Sequence, residues 1–223
     1  MNKSFRLMLS AALLGVATAS FASLTFYSSR ASFNAAIPGA TLENFELGAI
    51  GFGGAASCPS PLDKNSNNGV FSPGQIKDGV RFVGQNDPGF TDFFLGNGWG
   101  PYTTIGLSSV YTGTGIAMEF TDPNIHSVGL DILQNFGSGD TVVSIYSTSG
   151  LLNSEVFSVT DWQGTFYGFS STDVITKVVV YDGQIFSGYD GVDNVAFAQA
   201  VPEPASLLAV GAGLVLMLRR RRR

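Results

Sequence analysis

Between residues 115 and 198 the chain repeats one pattern: a short run of Val, Ile, Phe and Tyr, then a turn, at a spacing of about ten residues. The runs cover residues 115–121, 125–132, 141–147, 151–159, 164–170, 174–181 and 192–198. Between them stand turn formers: Asp122-Pro123-Asn124, Gly137-Ser138-Gly139-Asp140, Ser149-Gly150, Asp182-Gly183 and Asp190-Gly191. Upstream, residues 24–28, 41–46 and 79–84 also read as strands, the last bounded by glycines and followed by the turn Asn86-Asp87-Pro88-Gly89. Only residues 30–37 look helical, with Ala31, Phe33 and Ala36 on one side and Pro38-Gly39 ending the piece. Many short strands with no long helix specify an all-β chain, a single antiparallel β-sandwich of jelly-roll type.

Two stretches of the body break the pattern. Residues 47–79 are rich in Gly, Ser, Asn and Pro without periodicity, which predicts a surface loop of unusual length. Residues 90–102 combine Phe93, Phe94, Trp99 and Tyr102 with glycines and polar side chains. Trp99 and Tyr102, close to Asp92 and Asn97, have the character of a carbohydrate-stacking platform, because pyranose C–H faces pack on aromatic rings while amides and carboxylates take the hydroxyls. Trp162, between Asp161 and Gln163, is a second candidate; Phe93 and Phe94 read as core.

The two ends follow different rules. Lys3 and Arg6 precede an apolar run from Leu7 to Ala19, and small residues then fit cleavage after Ala19 or Ala22. Residues 1–22 are therefore read as a secretory signal peptide, outside the fold. At the other end, Pro202 and Pro204 make residues 201–204 an extended joint. Residues 205–218 follow with Ser206 as their only polar side chain, about 21 Å of helix at ~1.5 Å per residue. That is shorter than the ~20 residues of a permanent membrane span. Arg219, Arg220, Arg221, Arg222 and Arg223 close the chain and act as a cytoplasmic stop. A short anchor behind a breakable joint describes a membrane stop that is later removed.

Pro202, Glu203 and Pro204, a brief apolar helix and a terminal arginine cluster together resemble the PEP-CTERM sorting signal. The resemblance implies a Gram-negative, exopolysaccharide-producing bacterium in which an exosortase recognises the motif and removes the hydrophobic end. The chain is then held transiently in the inner membrane before reaching the cell surface or the medium. The resemblance covers only residues 201–223 and implies no catalytic role for them.

Without its ends the chain is strongly acidic. Residues 23–200 hold five of the 12 basic and 16 of the 17 acidic side chains, a net charge of −11. Such a body repels nucleic acid and anionic lipid. Cys58 is the only cysteine, so no intramolecular disulfide forms; it lies in Cys58-Pro59-Ser60-Pro61, read as a rigid loop. His126 is the only histidine, which excludes a metal site built on several imidazoles. No Gly-x-Ser-x-Gly elbow occurs, and the glycine run at 51–54 leads into Cys58-Pro59-Ser60-Pro61 rather than a helix N-terminus.

Alternation places Val128, Leu130 and Ile132 on one face with His126, and Ser127, Gly129 and Asp131 on the other. By the same rule Asp193 shares the side of Val195 and Phe197. A carboxylate at the core edge needs a partner. Sugar-binding jelly-rolls hold a structural calcium between an early acidic residue and one in the last strand, and similarity to them makes Glu43, Glu46 and Asp193 the candidate ligands. The expected function is a non-catalytic, exported surface or matrix protein linked to exopolysaccharide or biofilm. The alternative is a carbohydrate-binding module, with a glycan-cleaving carboxylate pair behind it.

Overall fold

A computed structural model describes residues 23–85, 92–98, 104–109, 114–134, 139–159, 164–182 and 190–200. Strands β1 (Leu24–Tyr27) and β2 (Thr41–Glu43) flank a helix, α1 (Arg30–Ala36). Then come β3 (Ala55–Pro59), β4 (Val80–Gln85), β5 (Asp92–Asn97), β6 (Ile105–Ser109) and β7 (Gly115–Phe120). The last six are β8 (Ile125–Gln134), β9 (Gly139–Ser147), β10 (Gly150–Val159), β11 (Thr165–Ser171), β12 (Ile175–Asp182) and β13 (Asp190–Gln199).

These strands form two antiparallel sheets. The larger has eight strands in the order β1-β11-β8-β13-β6-β5-β3, with β2 also on β13; the smaller has five, β10-β9-β12-β7-β4. From β6 onward the pairing follows a single rule, first with last: β6 with β13, β7 with β12, β8 with β11, β9 with β10. The winding therefore sends successive strands from one sheet to the other and back. Val143 and Ile145 of β9 and Val178 and Val180 of β12 meet Val128, Leu130 and Ile132 of β8 and Phe169 of β11 in one continuous apolar cluster. That shared core makes the molecule a sandwich.

The outer face of the larger sheet carries α1. Ser29 caps the helix: its hydroxyl accepts from Ser32 N while Ser32 Oγ accepts from Ser29 N, a reciprocal capping box. Phe33 and Ile37, one turn apart, are the buried anchors, whereas Ala31 and Ala36 are exposed, unlike the sequence expectation. A seven-residue helix has room for one contact line, and the large side chains take it. Phe33 seats over Gly129 and Gly168, which face one another in register between β8 and β11. A Cβ on Gly129 would come within 3.2 Å of the Phe33 ring, so the pair of glycines opens the seat.

Other expectations change as well. β2 ends at Glu43, three residues short of the expected strand, because Phe45 turns the chain with φ 58°. The expected loop over 47–79 contains β3, so Cys58 is a strand residue, its side chain 1% exposed in the core rather than in a loop. The aromatic stretch contains β5, where Phe93 is buried and Phe94 half-buried. Trp99, Tyr102 and Trp162, like residues 1–22 and 201–223, lie outside the described residues.

Candidate functional site

Strand β13 is irregular in its middle, and the two buried carboxylates among the described residues, Asp193 and Glu43, lie on it and against it. Its first half pairs with β6 through Gly191 and Val192; its second half pairs with β2 through Val195, Ala196 and Phe197. Against β8 the register slips between Asp193 and Ala196, and Asn194 takes φ 49°. This is a β-bulge, which adds a residue on one side of the ladder and reverses the alternation beyond it. The consequence is a correction to the sequence reading. Val192 and Val195 both enter the core, and Asp193 lies opposite Asp131 on the outer face, not on the side of Val195 and Phe197.

From there a chain of hydrogen bonds runs across the outer face. Thr104 Oγ1 donates to Asp193 Oδ2 at 2.8 Å, and Asn194 N donates to Asp193 Oδ1 at 2.6 Å. Asn194 Nδ2 donates to Asp131 Oδ2 at 2.9 Å, and Arg30 Nη2 pairs with Asp131 Oδ1 at 2.8 Å. Arg30 also lies 4.8 Å over the Phe166 ring, which joins α1 to the network. Glu46 accepts from Ile105 N at 2.9 Å. Burial is the main reason the Asp193 carboxyl is pushed up to about 7, and the neighbouring charges of Asp131 and Glu46 add to it. At 5% exposure Asp193 is closed to a substrate, so its chemistry here is that of a latch between β13 and the segment leading into β6, while Asn194 makes the bond to β8.

Glu43 works on the other side of the sheet. It faces Val195 in register and is 2% exposed; its Oε1 accepts from Phe45 N at 2.6 Å and its Oε2 from Lys77 N at 2.7 Å. Burial holds its carboxyl above the usual range despite those bonds. The three acidic residues singled out as calcium ligands therefore do not assemble as one donor set. Glu46 and Asp193 are close enough to repel, whereas Glu43 is turned inward and occupied by two amides. Among the described residues no three of His, Cys, Asp and Glu are grouped to hold a metal ion. His126 makes a local bond instead, its Nδ1 2.9 Å from Ser171 O.

A second locus lies at the base of the aromatic stretch. Phe52 is 83% exposed, far more than any other large apolar side chain described. The turn that carries it is fastened to β5: Gly53 N donates to Asn97 O, Asn97 N to Gly54 O, and Asn97 Nδ2 to Ile50 O. The phenyl ring lies against Gly98, whose φ of 65° and missing Cβ leave room for it. Trp99 is the next residue. On the outer face of the smaller sheet, register aligns Leu151, Tyr146, Lys177, Glu119 and Arg81 in one row. Lys177 Nζ sits 4.7 Å over the Tyr146 ring, and Arg81 pairs with Glu119 at 3.6 Å.

The body begins and ends at one place. Ser23 N donates to Thr172 Oγ1 at 3.0 Å, and Ala200, exposed, follows β13 on the rim of the same cleft of about 500 Å³, with Tyr27, His126 and Ser170 in its wall. Sequence reasoning missed Arg30, Thr104, Asn194 and Phe52. Only Asp193-Asn194, two turn formers inside a strand, signalled the bulge.

An all-β sandwich whose last strand leads directly into a proline-bounded joint, an apolar run and an arginine cluster is a body with an export address at its end. Residues 200–223 match the PEP-CTERM protein-sorting motif, and the chain is a PEP-CTERM sorting-domain protein. A motif of this kind implies export and a membrane-anchored signal that an exosortase processes. No curated protein is similar to the chain in sequence.

Solved structures with distant likeness include CsCBM6-3 from Clostridium stercorarium in complex with cellobiose, at 18% identity over 43% of this chain and 75% of that one, TM-score 0.28. A cleaved adhesin domain of Lys-gingipain from Porphyromonas gingivalis is 14% identical over 73% of this chain and 99% of that one, TM-score 0.34. The family 11 carbohydrate-binding module of a Clostridium thermocellum cellulosomal cellulase is 10% identical over 74% and 98%, TM-score 0.24. Likenesses this distant say nothing about what the body binds.

Proposed function

We propose that this is a non-catalytic protein of the cell surface or extracellular matrix, released from the inner membrane when an exosortase removes its tail, and linked to exopolysaccharide or biofilm. Residues 1–22 serve as the signal peptide and residues 205–218 as the short membrane helix. The observation that carries this reading is positional: the sorting motif starts at residue 200, one residue after β13 ends at Gln199. The last described strand ends where the peptidase's recognition sequence starts, so cleavage within the motif removes none of the described strands. The pairing of β6 to β13, first with last, supports placing the sandwich in the jelly-roll class. The test is fractionation of producing cells with mass spectrometry of the chain's C-terminus. Tail-free protein outside the cell, and retention of the full-length Glu203→Ala variant in the membrane, are the expected results. Intact tail on the extracellular protein would sink the proposal.

A carbohydrate-binding reading is favoured by one observation, the exposed Phe52 ring clasped against Gly98, which precedes Trp99 in the sequence. Aromatic rings held out in this way suit pyranose stacking. Affinity electrophoresis in the producer's own exopolysaccharide decides it. Retardation lost in both Phe52→Ala and Trp99→Ala supports a glycan site, and unretarded wild-type protein removes it.

A further inference from the structure

Every open sheet has two edges, and the four edges of this sandwich are not treated alike. The larger sheet ends at β1, four residues long, and at β3, whose last residue is Pro59. One edge of the smaller sheet, β4, is covered: Leu62 and Phe82 exchange two N–H···O bonds of 2.9 Å, and Ser60 Oγ accepts from Gly84 N at 3.0 Å. Short length, proline and a covering segment are devices that keep an edge from pairing with other chains.

Among the described residues, strand β10 has none of these three. It runs for 10 residues without proline, lysine or arginine, and among the described strands only β9 pairs with it. Its side chains are also arranged for contact. A bulge between Leu151 and Asn153 brings Leu151, opposite Tyr146, onto the same face as Ser154 and Val156, opposite Ser144 and Val142. That face points away from the core, and Leu151 and Val156 are 57% and 61% exposed on it. The strand's one charge is on the other face, where Tyr167 Oη donates to Glu155 Oε2 at 2.7 Å. The outward face is therefore uncharged along the strand's middle, with Leu151 and Val156 on either side of Ser154.

We propose that β10 pairs antiparallel with β10 of a second copy of this chain, about a two-fold axis through Val156, joining two smaller sheets into one. In this register Val156 faces the partner's Val156, Ser154 faces the partner's Ser158, and Glu155 faces the partner's Phe157. No like charges stand directly opposite one another; the two Glu155 carboxylates are diagonal neighbours, each held by Tyr167 of its own copy. Centring the axis on Glu155 would set two carboxylates against each other, which destabilises a strand pair. A seven-residue strand pair buries less than the ~1,600 Å² of a standard stable interface, so the dimer is reversible and driven by concentration. The two bodies, each of net charge −11, repel at long range, so added salt tightens it. The inference does not rest on the glycan reading.

The test is sedimentation equilibrium on the exported, processed protein over a wide concentration range at low and high salt. A monomer–dimer equilibrium that tightens with salt is expected. Val156→Lys, at an exposed position, keeps the thermal midpoint and weakens the dimer about tenfold or more by opposing two ammonium groups. Val156→Cys cross-links to a covalent dimer under mild oxidation, whereas Leu47→Cys, 54% exposed in a loop, does not. A monomer at every concentration overturns the proposal. So does a dimer that Val156→Lys leaves unchanged, or equal cross-linking by the two cysteine variants.

Discussion

Asp193 and Asp131 face each other in register across β13 and β8, and the only described cation bonded to either is Arg30, 2.8 Å from Asp131. Asp193 itself has only dipoles for partners, Thr104 Oγ1 and Asn194 N. Because its folded pKa is raised from an ordinary 3.8 to about 7, the folded state holds a proton there that the unfolded chain gives up. The contribution is fully present below pH ~4 and is lost as pH rises through about 7, a loss of a few kcal/mol at ~1.4 kcal/mol per unit. Denaturant unfolding at pH 5 and pH 8 should find the protein less stable at the higher pH through this group. Asp193→Asn should flatten the difference and raise stability at pH 8; an unchanged slope would remove Asp193 as its source.

Removing Arg30 should expose the repulsion it offsets. Arg30→Met leaves Asp131 facing Asp193 without a cation and loses the contact over Phe166, for a cost of about 1–3 kcal/mol. The double variant with Asp193→Asn should recover part of that loss. A double-mutant cycle measures the coupling; a purely additive result would mean that Arg30 acts through packing alone.

Glu43 ties the segment before β4 to β2 through two buried amides. Glu43→Ala leaves Phe45 N and Lys77 N without their acceptor, costing about 2–4 kcal/mol. Glu43→Gln keeps the volume but can accept from only one amide through its carbonyl oxygen, and should lose roughly half as much. Limited proteolysis should find residues 63–78 cut faster in both. Equal stability of the Ala variant and the wild type would contradict the clamp.

The glycine seat under α1 makes a steric forecast. Gly129→Val sets a branched side chain against the Phe33 and Phe166 rings and should destabilise by about 1–3 kcal/mol. Phe33→Ala empties the seat and should cost ~3 kcal/mol. Combining the two should cost less than their sum, because removing the Phe33 ring frees room for the valine on one side while the Phe166 ring stays on the other. Calorimetric midpoints of the three variants check this.

Strands β7 to β13 were legible because each is a run of β-branched and aromatic residues closed by a turn former, so local preference and pairing agree. β3 and β6 were not. Ala55-Ala56-Ser57-Cys58-Pro59 and Ile105-Gly106-Leu107-Ser108-Ser109 carry few strand formers, and they are extended because β5 lies between them and supplies their partners. The sorting motif was readable, since such a signal is recognised as sequence. The acidic residues were found but misplaced. Alternation assigned Asp193 to the core side, and a single bulge at Asn194, invisible to a period of two, moved it to the other face. Glu43 looked like a ligand because sequence shows a carboxylate but not the amides of Phe45 and Lys77 that claim it.

The strand that leads into the tail has neighbours on both sides, β8 along one flank and β6 then β2 along the other. While the tail is held in a membrane, any drag on the body is applied at Gln199 along the axis of β13. Tension in that direction loads two rows of backbone hydrogen bonds in shear, all at once, rather than peeling them one by one. An edge strand in the same place would unzip. Hanging the body from an interior strand gives the tether a firmer hold than either edge strand of that sheet would offer.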